Sequence, residues 1–469
     1  MAKHSKYREL VGGDKSLWIV ILILCVFSIL VVYSSTASMA YKNLDGDTSH
    51  YLVRQIRFVL LGLGCIYIFH QINYQVYFKN AKLIFRIALV LMCLTFFTGE
   101  TYNDATRWLR LPYTTFTFQP SDFLKVALII RLAAQLASTQ KIIDRIPILP
   151  SFSYGDWKKF PEKNFHILQK TSIPLLFPIA VSCLLVMISN LSTAIIIGLT
   201  CVIVLIIGRV KWSEIFRLLL FILVVFILFV ALLKVSGVGR VDTWISRIEN
   251  FVMDDENSDG KTLSAEQYQV HQAKIAVASG WLAGRGPGNS TQRSNLPHPY
   301  SDYAYAFIIE EYGVLGALFL LGCYLWIFYR AIVIFRKCDT AFPSLLVLGL
   351  SLMITLQALL HMGVSVDAAP VTGQTLPLIS LGGSSLLFTC MSLGMILGVS
   401  RQQNRIEQLK LLEEKRKLIV EEWEHVVVEK ASGKEDKGQK QDNGNIRGRY
   451  DDDFDFEGVI WDERHKDNS

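Results

Sequence analysis

The chain has 469 residues, of which 51% are hydrophobic and only 19% charged, with a formal net charge of +6. A soluble chain carries roughly a quarter charged residues, so the composition excludes an ordinary soluble enzyme. Nor does the positive excess point to nucleic acid, because the charge sits between apolar runs and in the tail beyond residue 400.

Apolar runs fall at about 17–35, 56–70, 82–97, 121–138, 172–189, 193–208, 213–234, 303–329, 343–363 and 376–399. A helix needs roughly twenty apolar residues to cross a bilayer, so the shorter runs are expected to extend into their flanks. The pattern predicts an all-α polytopic membrane protein of about ten transmembrane helices, with a long extracytoplasmic loop between helices 7 and 8. The first run is long and lacks a small-residue cleavage site, so it reads as a spanning helix and not as a cleaved signal. Three regions are expected: a cytoplasmic N-terminus (1–16), a membrane domain (17–400, with its large loop at 235–301), and a cytoplasmic tail (401–469) that is helical and then disordered.

An even number of spans puts both termini on one side. With that side cytoplasmic, the inner segments and the start of the tail hold 23 lysines and arginines, from Lys3 to Lys417, while the short outer loops hold four: Lys42, Arg54, Arg107 and Arg110. Basic residues stay inside, so both ends are expected in the cytoplasm and the protein in the cytoplasmic membrane. Cys25, Cys65, Cys93, Cys183, Cys201, Cys323, Cys338 and Cys390 are scattered singly, without metal spacing, and read as small core residues.

Three stretches depart from simple spans. Within the loop at 235–301, residues 265–279 (AEQYQVHQAKIAVAS) are expected to form a short helix at the membrane surface. Residues 364–385 mix Pro370, Gly373, Pro377, Gly382 and Gly383 at membrane depth, where irregular backbone must be buried in protein or line a wet cavity. The tail ends in DDDFDFEGVIWDER (451–464), which reads as a solvated, disordered segment, with docking to a basic partner as the rival.

Three separated blocks carry a resemblance: RWLRLPYTTFTFQPSDFLKVALI (107–129), ASGWLAGRGPGNSTQRSNLPHPYSDYAYAFIIEEYGVLGA (278–317) and PVTGQTLPLISLGGSSLL (370–387). Together they resemble the FtsW/RodA/SpoVE (SEDS) family over about residues 13–400, and GDKSLWIV…VVYSSTAS (13–38) is more similar to the division branch than to the elongation branch. The resemblance implies a peptidoglycan glycosyltransferase. Such an enzyme polymerises lipid II, an undecaprenyl-pyrophosphate-linked disaccharide peptide, beside a class B penicillin-binding transpeptidase and other divisome proteins. Three local departures stand out. SNLSTA (189–194) lacks the family's acid, Leu381 replaces a tyrosine, and PYSDY (299–303) replaces His-Thr-Asp-Phe while keeping the acid as Asp302.

Joining two lipid-linked sugars requires a base for the attacking hydroxyl and cationic or N–H donors for the departing pyrophosphate. A single displacement inverts the anomeric centre and needs one base. Asp302, at the start of the eighth helix, is the expected base, against the rival that Ser301 or Asp302 caps that helix. Arg107, Arg110 and Arg285 suit pyrophosphate because guanidinium groups donate in pairs and stay charged. The glycines at 284, 286 and 288, with Asn289 and Ser290, offer a turn whose N–H groups could approach an anion. Lys274 and Gln272 on the short helix are weaker candidates, equally explained by a solvated face. Gln374, Ser384 and Ser385, with Pro370, Thr372 and Gly373, are expected to shape a substrate cavity or to let helices pack closely. Glu310 and Glu311 read as structural acids with buried partners, and Asp122 and Lys125 as partners of each other. No metal site or cofactor is evident, and a divalent-cation requirement is left open. The alternatives are a flippase for the same lipid, since broken helices and intramembrane acids also suit transport, and a non-catalytic scaffold that recruits the transpeptidase.

Overall fold

The computed structural model describes residues 12–43, 49–102, 105–110, 117–140, 173–236, 246, 265–294 and 300–431. The C-terminal acidic–aromatic segment and the Arg107 side chain lie outside the described residues. The chain divides into two compact units, Met1–Arg405 and Ile406–Ser469. In the second, residues 406–431 are helical.

In chain order the helices are α1 (Lys15–Asn43), α2 (Ser49–Gln71), α3 (Tyr74–Thr98), α4 (Pro120–Thr139), α5 (Ile173–Ser189), α6 (Leu191–Ile207), α7 (Trp212–Ser236), α8 (Ala265–Gly280), α9 (Ala304–Lys337), α10 (Ala341–Ser365) and α11 (Gly383–Ala431). Each predicted apolar run lies wholly or mostly on one of these helices. Among the described residues, six helices are long and apolar enough to cross a bilayer, while α5 and α6 are shorter at 17 residues each. The protein is all-α and polytopic. Large apolar side chains such as Leu60 and Leu61 on α2 and Phe216 and Leu228 on α7 point outward, as expected of helices solvated by lipid.

Local signals set the helix ends. Asp14 accepts the Leu17 N–H at 3.0 Å and pairs with Arg330 of α9, so the first helix is capped and tied to the bundle by one side chain. Asn190, the lone residue between α5 and α6, caps α6 through the Thr193 N–H at 3.3 Å. Pro120 opens α4 at a position where its missing N–H costs nothing. At Gly62 and Gly394, α2 and α11 approach so closely that an added Cβ would fall 2.7 Å from the Leu386 side chain and from the Ile66 carbonyl, respectively.

Between α3 and α4 lies a small antiparallel sheet, β1 (Glu100–Tyr102), β2 (Ala105–Arg110) and β3 (Thr117–Phe118), in the order β1-β2-β3. Hydropathy gave no sign of it. α10 is enclosed, packing against α9, α4 and α6. α8 packs on α9 and α10 through Ala273 and Ala276, against Tyr303, Ala306 and Val364. It is thus a docked helix, with one face on protein.

Candidate active site

Tyr300, Ser301 and Asp302 form the turn that leads into α9, and the segment before α11 holds that turn in place. The Leu381 N–H donates to the Tyr300 carbonyl at 2.9 Å, and the Ser380 hydroxyl to the Ser301 carbonyl at 2.9 Å. Residues 376–381 are themselves pinned: Ser380 accepts the Leu376 N–H at 2.9 Å, Ser28 of α1 donates to the Ile379 carbonyl at 3.0 Å, and Tyr324 of α9 donates to the Pro377 carbonyl. Leu378 takes φ +65°, a left-handed conformation that this bracing sustains. Asp302 is half-buried, and its Oδ1 accepts the Ser301 hydroxyl at 3.0 Å. It does not cap α9: the N-cap position is Tyr303, without a side-chain cap bond. Among the described residues the carboxylate accepts one hydrogen bond, from Ser301, and caps no helix.

α10 carries a polar seam that the sequence reading missed in part. His361 of α10 is buried, and its Nδ1 is 2.7 Å from the Gln374 carbonyl. One turn earlier, Gln357 donates to the Thr375 carbonyl at 3.0 Å and accepts from Lys125 at 3.2 Å, while Lys125 pairs with Asp122 at 2.7 Å. Gln374 donates to Thr193 of α6 at 2.5 Å. Ser384 accepts the Gln119 N–H at 3.2 Å, and Ser385 meets Thr375 at 3.1 Å. Gln374, Ser384 and Ser385 therefore join elements, holding the irregular segment against α4, α6 and α10. The signal for His361 was present in the sequence: Gln357 and His361 are four apart on an apolar helix, so two polar groups share one face.

Glu310 and Glu311 are fully buried and organise the glycine-rich turn. Glu310 accepts the Ser290 hydroxyl at 2.5 Å, the Thr291 N–H at 2.8 Å, the Thr291 hydroxyl at 3.0 Å and the Gln292 N–H at 3.1 Å. Glu311 accepts the Gly288 N–H at 3.0 Å and the Ser34 hydroxyl of α1 at 2.5 Å. The N–H groups of Arg285 and Gly286 go to the carbonyls of Glu310 and Glu311, each at 2.9 Å. This corrects the expectation that the turn's N–H groups meet a substrate anion. At residues 285, 286 and 288 they are committed to main-chain carbonyls and a carboxylate of α9, whose proximity outcompetes an external ligand. Glu310→Gln would turn an NH2 toward donors that need an acceptor. It is expected to cost about 2–3 kcal/mol, read as a lower melting temperature in detergent.

The anchoring leaves the Arg285 side chain exposed, with one bond to Thr291 at 2.8 Å. Its backbone is tied to Glu310, eight residues beyond Asp302, or about 12 Å along the helix axis at 1.5 Å per residue. Asn289 folds back on the Arg285 carbonyl at 3.2 Å, and Ser290 is spent on Glu310. Lys274 pairs with Asp367 at 2.6 Å, tying α8 to the turn after α10, and Gln272 is half-buried. Arg110 is exposed on β2, opposite Thr117. A further cation escaped notice as a site residue: Arg54 of α2 lies over the Phe58 ring at 5.9 Å, and that ring packs where a Cβ on Gly383 would sit. A guanidinium is thereby placed beside the Gly-Gly-Ser-Ser run.

Residues 14–405 match the FTSW_RODA_SPOVE model, described as a cell cycle protein. The chain belongs to the FtsW/RodA/SpoVE family. It is 29% identical over 399 residues to a protein of Bacillus subtilis (strain 168) named probable peptidoglycan glycosyltransferase FtsW, covering 82% of this chain and 90% of that one. A protein of the same name from Hydrogenovibrio crunogenus is 30% identical over 389 residues, covering 81% and 90%. Stage V sporulation protein E of Bacillus subtilis (strain 168) is 28% identical over 396 residues, covering 83% and 97%. Among solved structures, the fold is shared with the rod shape determining protein RodA of Thermus thermophilus, at a TM-score of 0.52 and 19% identity over 83% of this chain and 97% of that one. It is also shared with a chain of a peptidoglycan synthase complex, solved to show the structural coordination of polymerization and crosslinking, at a TM-score of 0.59 and 20% identity over 83% and 98%.

Proposed function

We propose that this membrane protein is a peptidoglycan glycosyltransferase that polymerises lipid II into glycan strands at the outer face of the cytoplasmic membrane during cell division. Both of its termini lie in the cytoplasm. The observation that carries the reading is the state of Asp302 in a member of this family: half-buried, held by a braced turn, and with a carboxylate not engaged in capping. The distribution of basic residues along the connections supports the orientation.

In this reading Asp302 accepts the proton of the incoming sugar hydroxyl as its oxygen attacks the anomeric carbon of the donor. The bond to the lipid pyrophosphate breaks, and the anomeric centre inverts. Arg285, Arg110 and Arg107 meet the departing pyrophosphate, and Arg54 is a further cation for it. Lys274 positions α8, while Asn289, Ser290, Gln374, Ser384 and Ser385 hold the surrounding backbone. The partner is a class B penicillin-binding transpeptidase that crosslinks the emerging strand. The names of the relatives support the activity, and the likeness to a chain of a complex that couples polymerization to crosslinking supports the partnership.

The test is to supply the purified protein, with its transpeptidase, with labelled lipid II in detergent. Glycan polymer is the expected product. Leaflet exchange of lipid II in vesicles without polymer would instead mark a flippase, and neither activity would mark a scaffold.

A further inference from the structure

Residues 406–431, the helical part of the second unit, carry an apolar stripe that lies exposed. Leu409, Leu412, Val420 and Trp423 are 51%, 47%, 49% and 63% exposed, and Ile419 is half-buried. Spacings of three, four and seven residues put these side chains on one helix face. Lipid hydrocarbon cannot be the cover, because Lys410, Glu413, Glu414, Lys417 and Glu421 ring the same turns.

Arg416 narrows the choice of cover. It is exposed and falls on the stripe midway between Leu412 and Val420, with Lys415 and Lys417 on either side in sequence. A second copy packed in parallel register would set Arg416 against its own equivalent, like charge on like. An anionic membrane surface would meet Glu413, which borders the stripe. The cover must instead bring apolar side chains together with acid. Residues 451–461, DDDFDFEGVIW, are such a segment, with five acids, no base, and Phe454, Phe456, Val459, Ile460 and Trp461. The 19 residues from 432 to 450 can reach up to about 65 Å. The helix end at Ala431 lies about 22 Å along the axis from Arg416, so the segment reaches the stripe with chain to spare.

We propose that residues 451–461 dock on the Leu409–Trp423 stripe of their own chain, with Phe454 and Phe456 against its apolar side chains and the acids against Lys415, Arg416 and Lys417. An acid from the segment gives Arg416 a partner within an otherwise apolar face. The tether makes the contact intramolecular, so it forms at a high effective concentration. Any other protein that uses the stripe must displace the segment. The tail is thereby an interaction surface supplied with its own competitor, whatever reaction the membrane domain performs.

The test places the photo-crosslinking residue p-benzoylphenylalanine at position 412 of the full chain, in nanodiscs that contain anionic lipid. Leu412 is exposed, so the probe leaves the fold intact. After illumination and digestion, adducts to peptides spanning 451–461 are expected in a band of monomer mass. The same probe at position 414, on the opposite face, is expected to give few of them. Phe454→Ser with Phe456→Ser is expected to lower the yield about 10-fold, through the loss of two apolar contacts. Raising salt to about 0.5 M is expected to lower it roughly 3-fold, because exposed charges are screened. Adducts in a band of twice the monomer mass would overturn the proposal in favour of a second copy. Adducts to lipid alone, or none, would leave the stripe without this cover and overturn it too. So would equal yields from positions 412 and 414, or an unchanged yield in the double phenylalanine variant.

Discussion

Asp302→Asn is expected to fold and insert normally and to lose polymerisation by about 10²- to 10⁴-fold, the range that a positioned general base supplies. Folding should survive because, among the described residues, no hydrogen bond rests on the second carboxylate oxygen. Oδ1 accepts from Ser301, a bond that the amide oxygen reproduces, and α9 begins without an Asp302 cap. The backbone bonds from Ser380 and Leu381 do not involve the side chain at all. Chemistry should fail because an amide cannot take the proton from an alcohol at neutral pH. Labelled lipid II gel assays beside detergent melting curves check both halves of the expectation. Near-normal polymer from a folded variant would remove Asp302 from the mechanism.

Gly313→Ala is expected to be strongly damaging, at a cost on the order of 3 kcal/mol. Gly313 sits at φ +69°, ψ −172° and breaks α9 into two helices merged end to end. A Cβ there would lie 2.3 Å from the Leu282 carbonyl oxygen and 2.5 Å from the Gly284 nitrogen, both backbone atoms that cannot rotate away. The break lets the 280–288 turn close on α9, since the Trp281 and Leu282 carbonyls accept the N–H groups of Val314 and Leu315 at 2.9 and 3.3 Å. Closing that turn places Arg285. Gly313→Ala should therefore lower both the melting temperature and the polymerisation rate. Gly322→Ala, on the same helix with open space around it, should change neither.

The spans were legible in the sequence because lipid demands a long apolar run for each helix. The acid at the head of α9 was legible because it follows an unusual loop. Glu310 and Glu311 could be read as structural, since burial of two acids requires partners. What they bond to could not be read. Apart from Ser34 of α1, the donors lie 18–23 residues earlier in a turn whose glycines at 284, 286 and 288 take φ of +76°, +89° and +82°. The break at Gly313 was hidden because the hydrophobic run passes through it unchanged. The sheet at 100–118 was hidden because its strands have at most six residues, too short to carry a hydropathy pattern of their own. Bonds such as Gln374 to Thr193 link residues 181 apart, a distance over which a single sequence carries no pairing signal.

The most direct test is the side of the membrane on which position 302 lies and whether it is reachable there. The eight native cysteines are buried or half-buried, so Asp302→Cys can be labelled in intact cells, against the parent protein, with a membrane-impermeant maleimide. Rapid labelling from outside is predicted. Labelling only after the inner face is exposed would contradict the account, because no lipid-linked sugar delivered to the outer surface could then meet this carboxylate.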